Sequence, residues 1–262
     1  MQLLKNLFKF IFVSYGIFCL GLWLMQDQLI FNPTELSEDY RFRSGEEVEV
    51  EVEKGVFLNC LWMREGDSKG VILYLHGNRG SNSRCWHQAQ NMVNNVYDIF
   101  MPDYRGFGKS DGTISSEKQL LADVQIVYDF LKQHYKENKI IITGYSLGSG
   151  MASWLASNNR PQQLVMIAPY FSFYDLKDHY IPIYIPDLFV RYPLDSGTHL
   201  KGVECPITLF HGTRDRVIPY DSSEKLRAVN PSGIELVTLK NEGHRGAIFN
   251  GSFRRKFSEL LR

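Results

Sequence analysis

A β-branched run followed at once by a Gly-x-Ser-x-Gly motif constrains the fold of this chain more than any other stretch. The run occupies residues 140–143, the motif occupies residues 144–148, and a helix rich in small residues is predicted directly after it, at residues 150–156. A strand, a sharp turn and a helix are the elements of a nucleophile elbow, in which glycines flank a serine held in a strained turn. We therefore predict that Ser146 projects from the end of a strand.

The rest of the chain has the pattern of an α/β protein. Residues 47–53 alternate Glu and Val strictly and residues 56–63 follow a glycine, so an antiparallel hairpin is predicted first. The continuous apolar runs that come later alternate with helical stretches, which is typical of parallel strands joined by crossover helices. The predicted fold is a doubly wound, mostly parallel sheet of about eight strands. The later strands are predicted at residues 71–75, 96–101, 140–143, 164–168, 207–210 and 234–239.

One long crossover helix is predicted at residues 116–135. Apolar side chains recur there at helical spacing, and Ser116 with Gln119 is placed to form a capping box at its start. The periodic residues are Leu120, Leu121, Val124, Val127, Tyr128 and Leu131.

The N-terminal segment is predicted to be a membrane helix. Residues 10–25 carry no charge, and Lys5 and Lys9 precede them. The run is shorter than the about 20 residues that a span needs, but the neighbouring apolar residues extend it while the lysines reach the headgroups. We predict a retained signal anchor at residues 1–28 that crosses the membrane once.

Two alternatives for this segment stay open. One is a cleaved signal peptide, for which residues 19–21 offer only a poor cleavage site, and the other is a buried core helix. If the anchor is retained, the lysines before the span predict a cytoplasmic N-terminus. The remaining domain, residues 29–262, is then predicted to lie on the non-cytoplasmic side of the membrane.

Residues 170–200 interrupt the alternation of strands and helices. No clear strand or long helix is indicated, and the segment is rich in aromatic and proline residues. A connection this long in a compact domain is typical of a lid or a binding insertion. The aromatic rings are predicted to form an apolar pocket wall, and the alternative is that they only pack the insertion onto the body of the domain.

A serine nucleophile needs a base and a carboxylate that orients the base. Asp215 follows the strand predicted at residues 207–210, and His244 follows the strand predicted at residues 234–239. The carboxyl ends of parallel strands meet at one edge of the sheet, where the active site of such a fold lies. We therefore predict a Ser146, Asp215 and His244 triad.

Other acids and histidines are less well placed. Asp103 ends a strand but precedes the serine, and Arg105 beside it suggests an ion pair that braces the loop. His76 and His211 directly follow strands and are interpreted as structural. A triad acid from the insertion, Asp175, Asp187 or Asp195, is a weaker alternative. The remaining histidines lie in helical or insertion segments, where surface or packed positions are expected: His87, His134, His179 and His199.

Two backbone amides are predicted to bind the oxyanion that forms during acyl transfer. The first is that of Leu147, directly after the serine. The second is expected from the turn after Leu75, at Asn78, with Arg79 as the alternative donor.

Five motifs together resemble the α/β-hydrolase superfamily, and more narrowly its small membrane-anchored branch, related to serine aminopeptidases and anchored α/β-hydrolase-domain proteins. They are His-Gly-Asn-x-Gly at 76–80, Asp-Tyr-Arg-Gly-x-Gly-x-Ser-x-Gly at 103–112, the serine motif at 144–148, His-Gly-Thr-x-Asp-x-x-Ile-Pro at 211–219 and Gly-His at 243–244. The resemblance extends from about Leu29 to the C-terminus. Arg79 departs from it, because the family often has a small residue there.

The expected protein is a membrane-tethered serine hydrolase of carboxylic esters or thioesters, with acyl or lipid substrates favoured. No metal and no organic cofactor is implied. A formal net charge of zero gives no support for nucleic-acid binding. Two other functions stay open, a peptidase or amidase with the same triad and a noncatalytic binding scaffold on this fold.

Overall fold

Eight strands form one sheet within residues 1–92 and 96–262, the residues that the computed structural model describes. The order across the sheet is β1-β2-β4-β3-β5-β6-β7-β8. β2 is antiparallel to both of its neighbours, and the other pairs in this sheet are parallel. The predicted α/β architecture is therefore confirmed. The strands are β1 (Glu46–Glu53), β2 (Val56–Met63), β3 (Val71–Leu75), β4 (Asp98–Pro102), β5 (Ile140–Tyr145), β6 (Gln163–Ile167), β7 (Ile207–Gly212) and β8 (Ile234–Leu239).

The sheet is buried on both faces because apolar side chains point both ways from its central strands. Every residue of β3 to β7 is buried, as their continuous apolar runs predict. Leu73 and Ile142 belong to one core cluster, whereas Ile72 and Ile141 belong to a second one. The strand predicted at residues 96–101 begins two residues later, at Asp98.

Eight α-helices accompany the sheet in the described part of the chain. The predicted crossover helix is α3, and the hydroxyl of Ser116 caps it by accepting from the amide of Gln119 at 3.2 Å. The Gln119 side chain accepts from the amide of Ser115, so the second bond of the capping box lies one residue early. The helices are α1 (Gln2–Ile30), α2 (Asn82–Ala89), α3 (Glu117–Lys132), α4 (Gly148–Asn158), α5 (Phe173–Tyr180), α6 (Ser196–His199), α7 (Asp221–Val229) and α8 (Gly251–Leu260).

Helix α1 is long and apolar enough to cross a membrane, by length and composition. It ends at Ile30, two residues beyond the predicted anchor. The chain stays in contact with the domain directly after α1, because Asn32–Pro33 pairs in parallel with Arg79–Gly80. The side-chain amide of Asn78 also donates to the carbonyl oxygen of Ile30 at 3.0 Å. The end of α1 is thus hydrogen-bonded to the turn that follows β3.

The insertion at residues 170–200 contains α5, a 3-10 turn and the short helix α6. It contacts α1 through an ion pair between Arg191 and Asp27, 2.8 Å apart, and a hydrogen bond from the Gln26 side chain to the carbonyl of Phe189. Tyr170 is buried, and its hydroxyl donates to the carbonyl oxygen of Leu147 at 3.1 Å. The insertion therefore bridges α1 and the start of α4.

Candidate active site

Ser146 lies in a sharp turn between β5 and α4. Its φ angle is 52°, in the left-handed region that non-glycine residues seldom adopt, and its amide donates to the carbonyl oxygen of Ile167 at 2.9 Å. A Cβ atom on Gly148 would lie 2.6 Å from the carbonyl carbon of Leu75, and one on Gly144 would lie 2.7 Å from the Cβ of Ala152. Both glycines of the motif are therefore required by close packing, as predicted.

The structure brings the three predicted residues together at the carboxyl ends of β5, β7 and β8. Nε2 of His244 lies 3.0 Å from the hydroxyl oxygen of Ser146, and Nδ1 lies 2.7 Å from Oδ2 of Asp215. An ionised carboxylate can only accept, so Nδ1 carries the hydrogen and Nε2 is left to accept from the serine hydroxyl. This is the arrangement in which a serine hydroxyl can be deprotonated.

Asp215 is held as an anion although its side chain is fully buried. Burial by itself would raise the pKa of this carboxyl, but hydrogen bonds from His211 and His244 hold the pKa well below its usual value. Its other oxygen, Oδ1, accepts from the amides of Val217 and Ile218 at 2.8 and 2.9 Å. Four donors thus fix the orientation of the carboxylate that faces His244.

His211 has a closer relation to this site than the sequence indicated. It is buried, with Nε2 3.2 Å from Oδ2 of Asp215 and Nδ1 2.7 Å from the hydroxyl of Ser223. The interpretation of His211 as a structural residue of a glycine turn did not include its contact with Asp215. The spacing of four residues between His211, near the end of β7, and Asp215 was the only signal in the sequence that could have suggested it.

The amides of Leu147 and Asn78 are both free to bind an oxyanion. Within residues 1–92 and 96–262, neither N–H group has an acceptor, whereas the amide of Ser146 is paired with Ile167. Two unpaired donors beside a nucleophile are what a tetrahedral intermediate needs. The side chain of Asn78 is engaged with Ile30, so the backbone of this residue is the available donor.

Asp103 does not form the predicted ion pair with Arg105. Its carboxylate is buried, with Oδ1 3.2 Å from Nε2 of His76 and 2.8 Å from the amide of Asn82 that donates to it. Arg105 instead pairs with Asp123 on α3, and its Nε donates to Oδ2 at 2.7 Å. Asp103 therefore braces the turn after β3 through His76 and the start of α2.

A cavity of about 190 Å³ opens above Ser146 and His244. Its wall includes Tyr145 and Val217, but no residue of the insertion at 170–200 lines it. The prediction that the aromatic insertion walls this pocket is therefore wrong for the cavity at the serine. Tyr170 and Tyr192 pack inward instead, and the hydroxyl of Tyr192 donates to Asp27 on α1.

Comparisons with known proteins agree with this fold. A family model described as serine aminopeptidase, S33, matches residues 66–185, a range that includes Ser146 and ends before Asp215. An uncharacterised protein, YfhR of Salmonella typhi, is 25% identical over 99% of this chain and 94% of its own length. Lysophosphatidylserine lipase ABHD12 of Xenopus tropicalis is 31% identical over 63% of this chain, which spans 48% of that protein.

Solved structures share the same architecture. The esterase Pf2001 of Pyrococcus furiosus superposes with a TM-score of 0.69 at 20% identity, over 88% of this chain and 98% of its own. Est1E of Butyrivibrio proteoclasticus, solved with ferulic acid, has a TM-score of 0.63 at 18% identity, over 82% of this chain and 96% of its own. The strand order, the turn at the serine and these similarities agree, and the chain has the α/β-hydrolase fold.

Proposed function

We propose that this protein is a serine hydrolase that cleaves carboxylic esters or thioesters through Ser146, His244 and Asp215. The observation that carries the proposal is the continuous row of contacts from Asp215 through His244 to the serine hydroxyl. The two unpaired amides beside the serine supply the second requirement of acyl transfer, a preformed site for negative charge.

The geometry supports a two-step reaction. His244 accepts the hydroxyl proton at Nε2 while Oγ of Ser146 attacks the ester carbonyl carbon, and the amides of Leu147 and Asn78 bind the oxyanion. Collapse of this intermediate breaks the bond to the alcohol or thiol, which leaves with the proton from His244. Water then attacks the acyl-enzyme by the same route and releases the carboxylic acid.

Acyl or lipid-type substrates are the favoured class in this proposal. One similar protein is a lysophosphatidylserine lipase and another is an esterase, and α1 would hold the domain beside a bilayer. In the same proposal the anchor comprises residues 1–28 and the catalytic domain residues 29–262, on the non-cytoplasmic side.

Fluorophosphonate labelling tests the proposal directly. The wild-type protein is expected to form a covalent adduct at Ser146, and Ser146→Ala is expected to lose it completely, because the probe reacts only with an activated serine. Ser149→Ala is the matched control, since this nearby hydroxyl donates to the carbonyl of Ser146 and does not contact His244. Folded wild-type protein that stays unlabelled would favour the binding scaffold over an enzyme.

Turnover of a series of p-nitrophenyl esters of increasing acyl length then measures how long an acyl chain the site accepts. Turnover that rises with acyl length would support lipid-type substrates, whereas a strong preference for short, water-soluble esters in anchor-free protein would contradict that subclass. An amidase is distinguished by matched ester and amide substrates with the same acyl group, because both use the same triad. Faster cleavage of the amide would overturn the ester assignment.

The Asp215 carboxylate is expected to stabilise the folded protein at neutral pH and to lose this contribution in acid. Its folded pKa lies below its unfolded pKa of about 3.9, so the contribution is complete above that value and decreases as the pH falls toward the folded pKa. Urea denaturation of wild type and Asp215→Asn should differ by about 2 kcal/mol at pH 7, with a smaller difference below pH 4. A difference that stays constant between pH 7 and pH 3 would contradict this assignment.

A further inference from the structure

Three arginines surround the cavity above Ser146, and each comes from a different element. Arg79 lies in the turn after β3, Arg84 in the first turn of α2, and Arg245 directly after His244. No Asp or Glu side chain is among the described residues that line this cavity. The lining of the cavity at the serine therefore includes three positively charged side chains and no carboxylate.

The three guanidinium groups have no carboxylate partner anywhere in residues 1–92 and 96–262. Arg105 and Arg191 show the other behaviour, since each forms an ion pair with an Asp within 2.8 Å. The arginines at the cavity are thus available to an anion from outside the chain.

Arg84 is positioned by contact with the turn at the oxyanion site. Gly80 has a φ of +90°, and a Cβ atom there would lie 3.0 Å from Cδ of Arg84, so the arginine stem lies directly against the glycine backbone. A larger residue at position 80 would displace this stem. The same turn thus provides an oxyanion donor, Asn78, and a support for Arg84.

Tyr145 contacts the candidate base, His244, and its pKa is affected by the charges of two of these arginines. Its ring lies beside the ring of His244, 5.4 Å between centroids, and its hydroxyl donates to the carbonyl oxygen of His244 at 3.2 Å. Burial raises the pKa of Tyr145, and the nearby charges of Arg245 and Arg84 act in the opposite direction. Arg84 and Arg245 line the same cavity as Tyr145 and His244.

We propose that Arg79, Arg84 and Arg245 bind a phosphate or phosphodiester group carried by the alcohol portion of the ester. This inference rests on the proposed serine hydrolase function. A guanidinium group can donate two parallel hydrogen bonds to two oxygens of one phosphate. Three guanidinium groups are therefore a better match for a phosphate, with its greater negative charge and its several acceptor oxygens, than for a carboxylate. The alcohol portion is indicated because Arg245 adjoins His244, the group that returns a proton to the leaving alcohol.

A pair of substrates that differ only in phosphate tests the site. The release of oleate from 1-oleoyl-lysophosphatidic acid and from 1-monooleoylglycerol is measured with the full chain in mixed detergent micelles. We expect wild-type kcat/KM to favour the phosphate ester by about tenfold or more, and Arg84→Gln and Arg245→Gln each to lower this ratio about tenfold. Arg255→Gln on α8, exposed and outside the cavity, is the matched control and should leave the ratio unchanged.

A binding measurement separates this inference from the catalytic proposal. Isothermal titration of sn-glycerol 3-phosphate into Ser146→Ala protein should show binding that weakens about tenfold in the background of Arg84→Gln or Arg245→Gln. The phosphate site would be refuted, even if Ser146 is labelled, by either of two results. One is the same ratio of kcat/KM for the two esters in all variants, and the other is an affinity for sn-glycerol 3-phosphate that neither arginine substitution changes. Inorganic phosphate that binds as tightly, with no preference for the phosphate ester, would mean a site for free anions and would overturn it too. Loss of Ser146 labelling with arginine-dependent binding intact would instead refute only the hydrolase.

Discussion

Replacing His244 by alanine is expected to lower kcat for a short p-nitrophenyl ester by about a million-fold, close to the effect of Ser146→Ala. The reason is that His244 Nε2 contacts the hydroxyl of Ser146, and no other base contacts it within the part of the chain that the structure describes. Asp215→Asn is expected to cost about ten-thousand-fold, since an amide in this position favours the wrong imidazole tautomer. The rates are measured with purified protein in discontinuous assays, in which p-nitrophenol is quantified after a long incubation.

The pattern among these variants is more informative than any one of them. Residues that act as a unit are not additive, so His244→Ala combined with Ser146→Ala should be no slower than either change alone. His87→Ala, an exposed histidine on α2, is the control and should retain wild-type turnover. Losses that multiply in the double variant, or a His244→Ala enzyme within tenfold of wild type, would refute the triad.

Gly148→Ala is expected to have the largest effect on stability. The added methyl group would lie 2.6 Å from the carbonyl carbon of Leu75 and 2.8 Å from the carbonyl oxygen of His76, where only backbone movement can relieve the clash. We expect the free energy of unfolding to fall by about 3 kcal/mol, measured by urea denaturation. Activity should fall further in the molecules that remain folded, because a shift of α4 moves the amide of Leu147 away from the substrate.

A matched substitution separates this clash from the general effect of adding a methyl group. Gly251 is the first residue of α8, and a Cβ atom there would have no neighbour within 4 Å. Gly251→Ala should therefore change the free energy of unfolding by less than about 0.5 kcal/mol. If Gly148→Ala were equally mild, the close approach of α4 to the end of β3 would be refuted.

The sequence alone was enough to predict the sheet and to predict that Ser146, Asp215 and His244 lie close together. Buried parallel strands have continuous apolar runs, and their carboxyl ends must lie at one edge, so residues directly after three such strands are expected to be neighbours. β2, β3 and β8 begin and end at the predicted residues. The strict alternation of valine and glutamate predicted β1 to within one residue.

Contacts that depend on side-chain directions between distant elements were not predictable in this way. Arg105 is two residues from Asp103, but it pairs with Asp123 on α3, which lies 18 residues away in the sequence. The aromatic residues of the insertion were visible in the sequence, but their packing depends on where α1 lies. His211 was expected directly after a strand, whereas it lies within β7, and its contact with Asp215 depends on how the chain turns after that strand.

The hydrogen bond between Asn78 and the last turn of α1 has a consequence for how such a protein would sit at a bilayer. A domain joined to its anchor by a loose tether swivels freely, and its entrance faces the lipid only part of the time. Here Asn32–Pro33, directly after α1, pairs with Arg79–Gly80 in the turn that follows β3. With α1 in a membrane, the tilt and rotation of that helix would set both the distance of the cavity entrance from the bilayer surface and the direction in which the entrance faces.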